Sequence, residues 1–200
     1  MVYVISGPSG CGKSTLIRRV ISGLDDVRFS VSHTTRTKRE SEVDGRDYYF
    51  VDRDRFLRLV EKGAFIEWAV VHGAYYGTSK AELRKAGGQD IILDIDVQGA
   101  AQVRRKIRSA VFIFILPPSF QELRKRIESR GLDSAAEIRK RLATARKEVR
   151  SYRSFDYIVV NHDLETAGRE LESILLCQRA RLAVRKKAIG PILKSFRGRR

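Results

Sequence analysis

Apolar residues along this 200-residue chain occur in two main patterns, short continuous runs and repeats at helical spacing. Continuous runs of about four to eight residues are typical of strands buried on both faces, whereas repeats every three or four residues are typical of helices packed on a core. The runs predict buried strands at Val2–Ser6, Asp90–Asp96, Ala110–Leu116 and Asp156–Val160. The helical repeats predict helices at Lys13–Leu24, Asp54–Glu61, Ser119–Ser129, Ile138–Arg150 and Leu164–Val184.

Buried strands that alternate with helices predict a parallel α/β sheet with helices on both faces. The segment between about residues 34 and 78 does not follow this alternation. Its strand candidates, in which apolar and polar residues alternate, are Phe29–Thr35, Asp47–Val51 and Ala64–Val71. We interpret this segment as an antiparallel insertion. After Lys187 the periodicity is lost, and we expect a basic tail there.

Basic residues are concentrated at the carboxyl end of the chain. Forty basic and 24 acidic residues give a formal net charge of +16. Such an excess is typical of proteins that bind nucleic acid, membrane surfaces or anionic small molecules. From Arg179 onward there are nine basic residues and no acidic one. Since this stretch has no aromatic residue except Phe196 and no nucleic-acid-binding motif, we expect at most weak contact with a phosphate backbone and no specific nucleic-acid partner.

The composition, with 42% hydrophobic and 32% charged residues, is that of a globular chain. No apolar run approaches the roughly 18 residues that a membrane-spanning helix needs, and the first residues do not resemble a secretory signal. Two cysteines, Cys11 and Cys177, are too few for a disulfide framework. We therefore expect a cytoplasmic protein without a membrane partner.

The first strand candidate leads into GPSGCGKST, residues 7–15, which fits the pattern G-x-x-x-x-G-K-[ST] between a strand and a helix. Such a loop curls its backbone N–H groups around phosphate oxygens, and the following helix adds the positive end of its dipole. We expect Lys13 to bridge the β- and γ-phosphates of ATP and the Ser14 hydroxyl to bind Mg²⁺. The predicted phosphate-binding residues are Gly7, Ser9, Gly10, Cys11, Gly12, Lys13, Ser14 and Thr15.

Another candidate for the metal site is the acidic end of the strand ILDID, which carries Asp94 and Asp96. A carboxylate beside a phosphate loop can hold Mg²⁺ directly or through water. Many strands end in aspartate only to begin a turn, so the pattern leaves open which residue has this role. The loop indicates a bound triphosphate but not the phosphate acceptor, because GTPases, motor ATPases and kinases all share it.

Residues that suit an acceptor occur in the insertion. Arg36 and Arg39 are three positions apart, and Tyr48 and Tyr49 follow nine residues later. Two guanidinium groups and a phenol suit a dianionic phosphate, although a solvated basic loop would have the same composition. Glu67 lies in an apolar strand candidate, where an unpaired carboxylate would be costly. It either pairs with an arginine or accepts from two adjacent N–H groups, which guanine presents and adenine lacks.

Several segments, in the same order, resemble motifs of the guanylate kinase family: ISGPSGCGKST, SVSHTTRTKR, DGRDYYFV, FIEWA, YYGT, ILDIDVQG, LPPS, RIESRG and EIRKRL. The resemblance runs from about Val2 to the last predicted helix. It implies Mg²⁺-dependent transfer of the ATP γ-phosphate to GMP or dGMP, giving ADP and GDP for GMP, in line and without a covalent intermediate. No general base is required, because the acceptor phosphate is largely ionised at neutral pH.

The resemblance also implies roles for individual residues. The guanine base would be contacted by Ser32, Glu67, Thr78 and Asp94. The GMP phosphate would be held by Arg36, Arg39, Tyr48 and Tyr76, with Gly77 allowing close approach. Catalysis would rest on Lys13 and on the lid residues Arg126, Arg130 and Arg141. Mg²⁺ would be bound by Ser14 and Asp96.

The fold implied is the three-layer P-loop NTPase fold, an α/β fold with a central parallel sheet, a mixed α/β GMP-binding insertion and a helical lid. The predicted core comprises residues 1–31, 87–118 and 151–184, the insertion 32–86 and the lid 119–150. Residues 185–200 form the basic tail. If the chain self-associates, a homodimer is the expected assembly.

Two features depart from the usual family pattern. Thr78 replaces a serine but keeps the hydroxyl group, and the segment RTKR lacks a proline between its arginines. The three histidines, His33, His72 and His162, have no metal-ligand spacing, and we assign them no catalytic part.

Three other functions remain as alternatives. One is a guanylate-kinase-like scaffold module that binds phosphopeptides, although such modules typically lack the complete loop found here. The others are a nucleic-acid-binding protein and a kinase for another phosphorylated ribose compound.

Overall fold

The computed structural model describes residues 1–129 and 134–196. Its strands are β1 (Val2–Ser6), β2 (Val27–Phe29), β3 (His33–Thr34), β4 (Tyr49–Phe50), β5 (Phe65–Val71), β6 (Ala74–Ser79), β7 (Asp90–Asp94), β8 (Val111–Leu116) and β9 (Tyr157–Val160). Its α-helices are α1 (Lys13–Gly23), α2 (Arg53–Glu61), α3 (Lys80–Lys85), α4 (Val97–Lys106), α5 (Phe120–Glu128), α6 (Ala135–Glu148), α7 (Leu164–Ala180) and α8 (Leu182–Ser195). A 3₁₀ helix covers Val149–Ser154. Within the described ranges, no helix is long and apolar enough to cross a membrane.

The central sheet has the strand order β2-β7-β1-β8-β9, and all of its strand pairs are parallel. Because side chains alternate between the two faces of a strand, each apolar run supplies both faces. One face packs against α1 and α7, in a core that includes Tyr3, Ile5, Leu16, Ile113 and Leu171. The other face packs against α4, in a core that includes Val4, Leu93, Val103 and Phe112. The predicted α/β fold with a covered parallel sheet is confirmed.

The centre of this sheet fixes the position of the phosphate loop. β1 has β7 on one side and β8 on the other, so the loops that follow these parallel strands emerge at the same edge. Ligands of open α/β sheets bind outside the carboxyl ends of the strands, where the strand order reverses. The loop after Ser6 and the carboxylate of Asp94 therefore lie beside each other.

The insertion forms a second sheet with the order β4-β3-β6-β5. β5 pairs antiparallel with β6, and β6 pairs antiparallel with β3. The prediction of an antiparallel insertion is wrong for β4, because His33 pairs with Tyr49 and Thr34 with Phe50 in parallel register. The connection over residues 35–48 is long enough to return the chain to the start of β3, as a parallel pair requires.

The predicted single strand Phe29–Thr35 is wrong, because this segment joins two different sheets. Phe29 pairs with Ile92 in the central sheet, whereas His33 pairs with Gly77 in the insertion. The backbone between the two strands makes one further bond to the central sheet, from Ser30 N to Ile92 O at 3.0 Å. Polar and apolar residues alternate along the whole segment from Phe29 to Thr35, so the sequence pattern did not reveal where the chain leaves one sheet and enters the other.

Helix α4 fastens the insertion to the core. The side chain of Gln102 donates to the carbonyl oxygen of Trp68 at 2.6 Å and accepts from the backbone N–H of the same residue at 3.2 Å. One turn later, the Lys106 ammonium donates to the carbonyl oxygen of Ile66. β5 is therefore held against the core through its backbone.

The predicted lid contains α5 and α6, which pack on each other through Leu123, Ile127 and Ala145. α6 begins before the predicted boundary at Ile138, because Ser134 and Glu137 form a capping box at its start. The prediction continued α6 to Arg150, but the chain tightens into the 3₁₀ helix from Val149.

The final predicted helix, Leu164–Val184, ends at Ala180. Arg181 has φ −58° and ψ +139°, which breaks the helix. A separate helix, α8, then occupies residues that we expected to form an aperiodic tail, and Pro191 lies within it. Proline removes one backbone donor, but α8 continues through Gly190 and Pro191 to Ser195. Gly190 and Pro191 are therefore misleading as signs of a helix end.

Candidate active site

The phosphate loop joins β1 to α1, and two glycines allow its tight path. Gly7 has φ +149°, and a Cβ atom there would lie 2.2 Å from the carbonyl oxygen of Ile115. Gly12 has φ +95°, and a Cβ atom there would lie 2.4 Å from the Asn161 amide nitrogen. Residues with side chains rarely adopt these conformations, so both positions require glycine.

Lys13 and Ser14 begin α1 and face the middle of the loop. The Lys13 ammonium donates to the carbonyl oxygen of Gly7 at 2.7 Å, and the Ser14 hydroxyl donates to Asp94 Oδ2 at 3.0 Å. Burial lowers the pKa of Lys13, but surrounding negative groups, including Asp94 and Glu148, outweigh burial and leave this pKa above its usual value. Lys13 is therefore a firmly charged cation at the centre of the loop.

The lid arginines reach this loop from α5 and α6. Arg126 donates to the carbonyl oxygens of Asn161, at 3.1 Å, and of Cys11, at 3.4 Å. Arg141 donates to the Ser9 hydroxyl at 2.9 Å. The predicted residue Arg130 lies outside the described residues. Two of the three predicted lid arginines are thus brought to the phosphate loop.

Glu148, the last residue of α6, also lies at the loop, and sequence reasoning missed it. Its carboxylate accepts from the backbone N–H of Ser9, while its Oε2 atom is buried and has no hydrogen-bond partner. Burial raises the pKa of Glu148, and the nearby Lys13 opposes this shift. In the sequence it is one acid within the basic segment ARKEVR, and no motif marks it.

A second cluster of polar groups lies in the insertion. Arg36 donates to the Tyr76 hydroxyl at 3.2 Å and to Glu42 Oε1 at 2.6 Å. Its guanidinium carbon lies 5.5 Å from the centre of the Tyr48 ring. The other oxygen of Glu42 accepts from the backbone N–H of Arg39 at 2.9 Å. Tyr76 of β6 therefore meets the loop between β3 and β4, which carries the other three predicted residues. Glu42, which we did not predict, links the Arg36 side chain to the Arg39 backbone.

The electrostatics of this cluster suit an anion. Burial raises the pKa of Glu42, but hydrogen bonds from Arg36 and from the Arg39 backbone outweigh burial and hold that pKa below its usual value. Glu42 is therefore ionised and pairs with Arg36. Burial also raises the pKa of Tyr48 to about 12, so its phenol remains a neutral hydrogen-bond donor.

Glu67 lies in β5, where it is 3% exposed. Its Oε1 atom accepts from the backbone N–H of Thr78 at 2.8 Å. The Thr78 hydroxyl lies 3.3 Å from the Ser32 hydroxyl. Burial raises the pKa of Glu67 to about 7, and hydrogen bonds from Thr78 oppose the shift. Three of the four residues predicted to contact the base thus form one buried group, with a carboxylate that is close to titration at neutral pH.

Comparison with known proteins identifies the family. A sequence model described as guanylate kinase matches residues 1–178. The chain belongs to the guanylate kinase family. It is 49% identical over 183 residues to the guanylate kinase of Syntrophotalea carbinolica, covering 90% of this chain and 87% of that protein. It is 48% identical over 183 residues to that of Thermotoga maritima, covering 90% and 88%.

A solved guanylate kinase has the same fold. The crystal structure of guanylate kinase from Anaplasma phagocytophilum superposes with a TM-score of 0.78 at 34% sequence identity, covering 95% of this chain and 94% of that one. The resemblance that the motifs indicated is therefore confirmed. The family match ends at residue 178, so all of α8 lies beyond it.

Two residues predicted to bind GMP, Asp94 at the base and Gly77 near the phosphate, have a different setting from the one expected. Asp94 bonds to Ser14 rather than to Glu67 or Thr78, and its charge also acts on Tyr48. Asp94 therefore lies between the phosphate loop and the insertion. Gly77 was predicted to allow close approach of GMP, but a Cβ atom there would lie 3.1 Å from Phe56, Phe65 and Trp68. The packing of the insertion itself thus accounts for this glycine.

Asp96 begins α4 as its N-cap. One carboxylate oxygen accepts from the backbone N–H of Gly99 at 2.9 Å, and the other accepts from the Gln98 side chain at 3.0 Å. Both oxygens of the predicted metal ligand are thus engaged. The Ser14–Asp94 pair is the one that faces the loop.

Sequence reasoning missed one further feature beside the phosphate loop. A concavity of about 330 Å³ lies beside the phosphate loop, lined by Gly10, Gly12, Thr15, Arg126, Ser129, Asn161, His162 and Leu164. The Asn161 side chain donates to the carbonyl oxygen of Cys11 at 2.8 Å. The position of Asn161 and His162, at the carboxyl end of β9, was the signal available in the sequence, because ligands gather at such ends. β9 itself is an edge strand with Ile158 and Val160 exposed, so the prediction of a buried strand is wrong there.

Proposed function

We infer that this chain is an ATP:GMP phosphotransferase, a nucleoside monophosphate kinase that converts ATP and GMP to ADP and GDP. Membership of the guanylate kinase family carries this conclusion. The arrangement of the site supports it, because Asp94 bonds to Ser14 of the phosphate loop and its charge also acts on Tyr48 of the arginine–tyrosine cluster. A complete loop with a charged Lys13 also disfavours the scaffold-module alternative.

We propose that Glu67, Ser32 and Thr78 recognise guanine. The adjacent N1–H and N2–H donors of guanine suit the Glu67 carboxylate, and the two hydroxyls can donate or accept at the remaining base edge. Burial makes this selective, because a base that lacks these donors would leave a buried carboxylate unpaired. Arg36, Arg39, Tyr48 and Tyr76 would hold the phosphate. dGMP, which keeps the base and the phosphate, is expected to be a second substrate.

We propose that the phosphates of ATP occupy the loop and its nucleobase the concavity beside Asn161 and His162. The residues fit Mg²⁺, since that ion prefers oxygen ligands and is usually held by one or two carboxylates together with substrate phosphates. Ser14 and Asp94, already 3.0 Å apart, are better placed to hold it than Asp96. Bound there, Mg²⁺ supplies neutralisation of the charge on the β- and γ-phosphates.

The protein's own contribution to the mechanism is to bring two polyanions together. Lys13 would hold the donor phosphates, and Arg36 and Arg39 the acceptor phosphate. Arg126 and Arg141, carried on the lid, would stabilise the charge on the transferred group, as arginines do in related phosphoryl transfers. Because Arg126 donates to Glu122 and to the carbonyl oxygens of Cys11 and Asn161, and Arg141 donates to the Ser9 hydroxyl, both must exchange contacts within the protein for phosphate oxygens. The acceptor is already ionised, so no side chain needs to remove a proton.

The test of the function is an ADP-release assay with ATP and each of GMP, dGMP, AMP, CMP and UMP. We expect turnover with GMP and dGMP that exceeds turnover with the other three nucleotides by at least about a hundredfold, because a mispaired buried carboxylate is costly. Omission of Mg²⁺ should abolish turnover. Equal turnover with GMP and AMP would refute the assignment of the base pocket.

Glu42 provides a further prediction. Since its carboxylate links the Arg36 side chain to the Arg39 backbone, Glu42→Gln should loosen both arginines and raise KM for GMP about tenfold. KM for ATP should stay unchanged, and kcat should change little. Glu40→Gln, at an exposed position of the same loop, is the matched control. Equal changes in both Michaelis constants would show instead that Glu42 supports the fold as a whole.

Three proposals rest on the sequence and the family only. They are the dependence on Mg²⁺, a cytoplasmic location and a homodimer as the assembly. Light scattering of the purified chain would test the last of these directly.

A further inference from the structure

Helix α8 exposes large apolar side chains that the rest of the described chain does not cover. Leu182 is 72% exposed, Ile192 56%, Leu193 57% and Phe196 83%. At 3.6 residues per turn these four side chains fall within an arc of about 100° around the helix axis. We refer to them as the C-terminal stripe. Arg185 falls in the same arc, between Leu182 and Ile192 along the chain. Exposed apolar side chains grouped on one face of a helix mark interaction surfaces.

The same helix is strongly basic. Residues 182–196 include Arg185, Lys186, Lys187 and Lys194 and no acidic residue. Arg185, Lys186 and Lys194 have exposed side chains. The occupant of this surface must therefore offer both apolar contact and negative charge.

The position of α8 in the fold keeps this surface apart from catalysis. The break at Arg181 separates α8 from α7, and α8 lies wholly beyond the residues matched by the family. None of the residues assigned to the ATP or GMP sites belongs to it. A role for α8 is therefore additional to phosphoryl transfer and does not depend on the proposed function.

Three occupants can be compared by charge and chemistry. A second copy of the chain would bring two basic helices together without an acidic residue from either stripe, which is unfavourable. A nucleic acid would satisfy the basic residues but would leave the C-terminal stripe in water. An anionic lipid surface satisfies both, because it offers phosphate groups beside an apolar layer and requires no matching pocket.

We propose that α8 docks this protein on an anionic lipid surface. The C-terminal stripe enters the boundary between headgroups and acyl chains, and Arg185, Lys186 and Lys194 contact the lipid phosphates. Basic side chains beside such a boundary extend their charged ends to the headgroups while their aliphatic stems stay in contact with the apolar layer. This proposal replaces the sequence-based expectation of no membrane partner, which considered only membrane-spanning segments and the charge of the tail.

The test is sedimentation of the full chain with vesicles of phosphatidylcholine, and of phosphatidylcholine mixed with phosphatidylglycerol. We expect at least tenfold stronger binding to the mixed vesicles, because each basic residue near an anionic surface contributes roughly a fivefold gain. At about 1 M salt, where charges are screened beyond about 3 Å, most of this preference should disappear.

Two variants separate the contributions. Leu193→Ser with Phe196→Ser removes half of the C-terminal stripe without changing the charge, and Arg185→Gln, Lys186→Gln and Lys194→Gln together remove charge without changing the stripe. We expect each to weaken binding to mixed vesicles at least tenfold. Val70→Ser, at an exposed position of β5 that is 47% exposed, is the control and should bind like the unchanged chain. Turnover of ATP and GMP without vesicles should be retained in all three, which verifies their folding.

Three results would overturn the proposal. The first is equal or absent binding to the two kinds of vesicle. The second is unchanged binding of the Leu193→Ser, Phe196→Ser variant, which would make α8 a general polyanion contact of the kind that RNA would satisfy. The third is a lipid-free dimer that the same variant converts to a monomer, which would make the stripe an interface between copies.

Discussion

Lys13→Ala is expected to lower phosphoryl transfer from ATP to GMP by about a thousandfold. Lys13 is the charged centre of the phosphate loop, held 2.7 Å from the Gly7 carbonyl oxygen among the acidic groups Asp94 and Glu148. Its loss would leave the phosphates of ATP without the cation that we propose for them and the two acids without a counter-charge. Removal of a single group that stabilises transition-state charge typically costs a hundred- to a thousandfold, and on our proposal Lys13 acts on both donor phosphates.

The measurement is kcat with saturating GMP, together with the rise in the unfolding temperature on addition of ATP. We expect the variant to fold but to lose most of this rise, because a ligand stabilises a protein only as far as it binds the folded state. Lys125→Ala, an exposed lysine of the lid helix α5, is the control and should keep both properties. Turnover within tenfold of the unchanged chain would remove Lys13 from the mechanism.

The second large effect is expected at Glu67. Glu67→Gln should weaken GMP about a hundredfold and leave ATP unchanged, since the amide can accept one hydrogen bond from guanine but opposes the other donor with its own NH₂ group. Hydrogen bonds to charged groups are worth about 1.5 to 3 kcal/mol each. Titration calorimetry with each nucleotide separates the two affinities. Glu61→Gln, at an exposed position of α2, is the matched control.

The raised pKa of Glu67 gives this prediction a pH dependence. Only the ionised carboxylate can accept from both guanine donors, and its pKa in the ligand-free protein is about 7. Affinity for GMP is therefore expected to be full above this pH and to fall by up to about tenfold for each unit below it. Protonation of the GMP phosphate near pH 6 should lower the affinity for GMP a second time. The Glu67→Gln variant should show only this second decrease. Identical pH profiles for the two proteins would contradict the assignment of Glu67.

Much of the site could be predicted because the decisive residues lie in continuous motifs. The loop around Lys13 is a local pattern whose backbone requires glycine at Gly7 and Gly12, and its position between a strand and a helix follows from the apolar periodicity. Glu67 could be singled out for a similar reason, because a carboxylate in an apolar strand needs a partner, whereas the roles of Ser32 and Thr78 came only from the family resemblance. The loop and Glu67 are recognisable within single segments, without knowledge of the tertiary structure.

The residues that were missed depend on contacts between distant segments. Glu148 meets Ser9 only after α6 has packed across the loop, and Asn161 meets Cys11 only at the common edge of the sheet. The family resemblance assigned Mg²⁺ to Asp96, but both oxygens of Asp96 are engaged at the cap of α4. Our proposal of Asp94 as the ligand rests on its contact with Ser14, which joins two distant segments. Pairing and capping of this kind have no periodicity that a sequence displays.

The secondary-structure errors have similar causes. An extended chain that crosses between two sheets keeps the alternation of a single strand, so the segment from Phe29 to Thr35 gave no sign of the change. At the carboxyl end, Gly190 and Pro191 suggested that no helix forms, although the spacing of Leu182, Leu193 and Phe196 is helical. Local breakers are weak evidence at the surface, where the loss of one backbone hydrogen bond is compensated by water.

The contact between α4 and β5 holds a residue whose fluorescence can be measured. Trp68 is the single tryptophan of the chain, its backbone is clamped by Gln102, and its ring lies 6.1 Å from that of Tyr75. Because it follows Glu67 directly and is 37% exposed, its fluorescence arises from one known place beside the proposed guanine pocket. Nucleotide-induced changes at that place can thus be followed in the unlabelled enzyme, without the overlapping signals that several indoles would give.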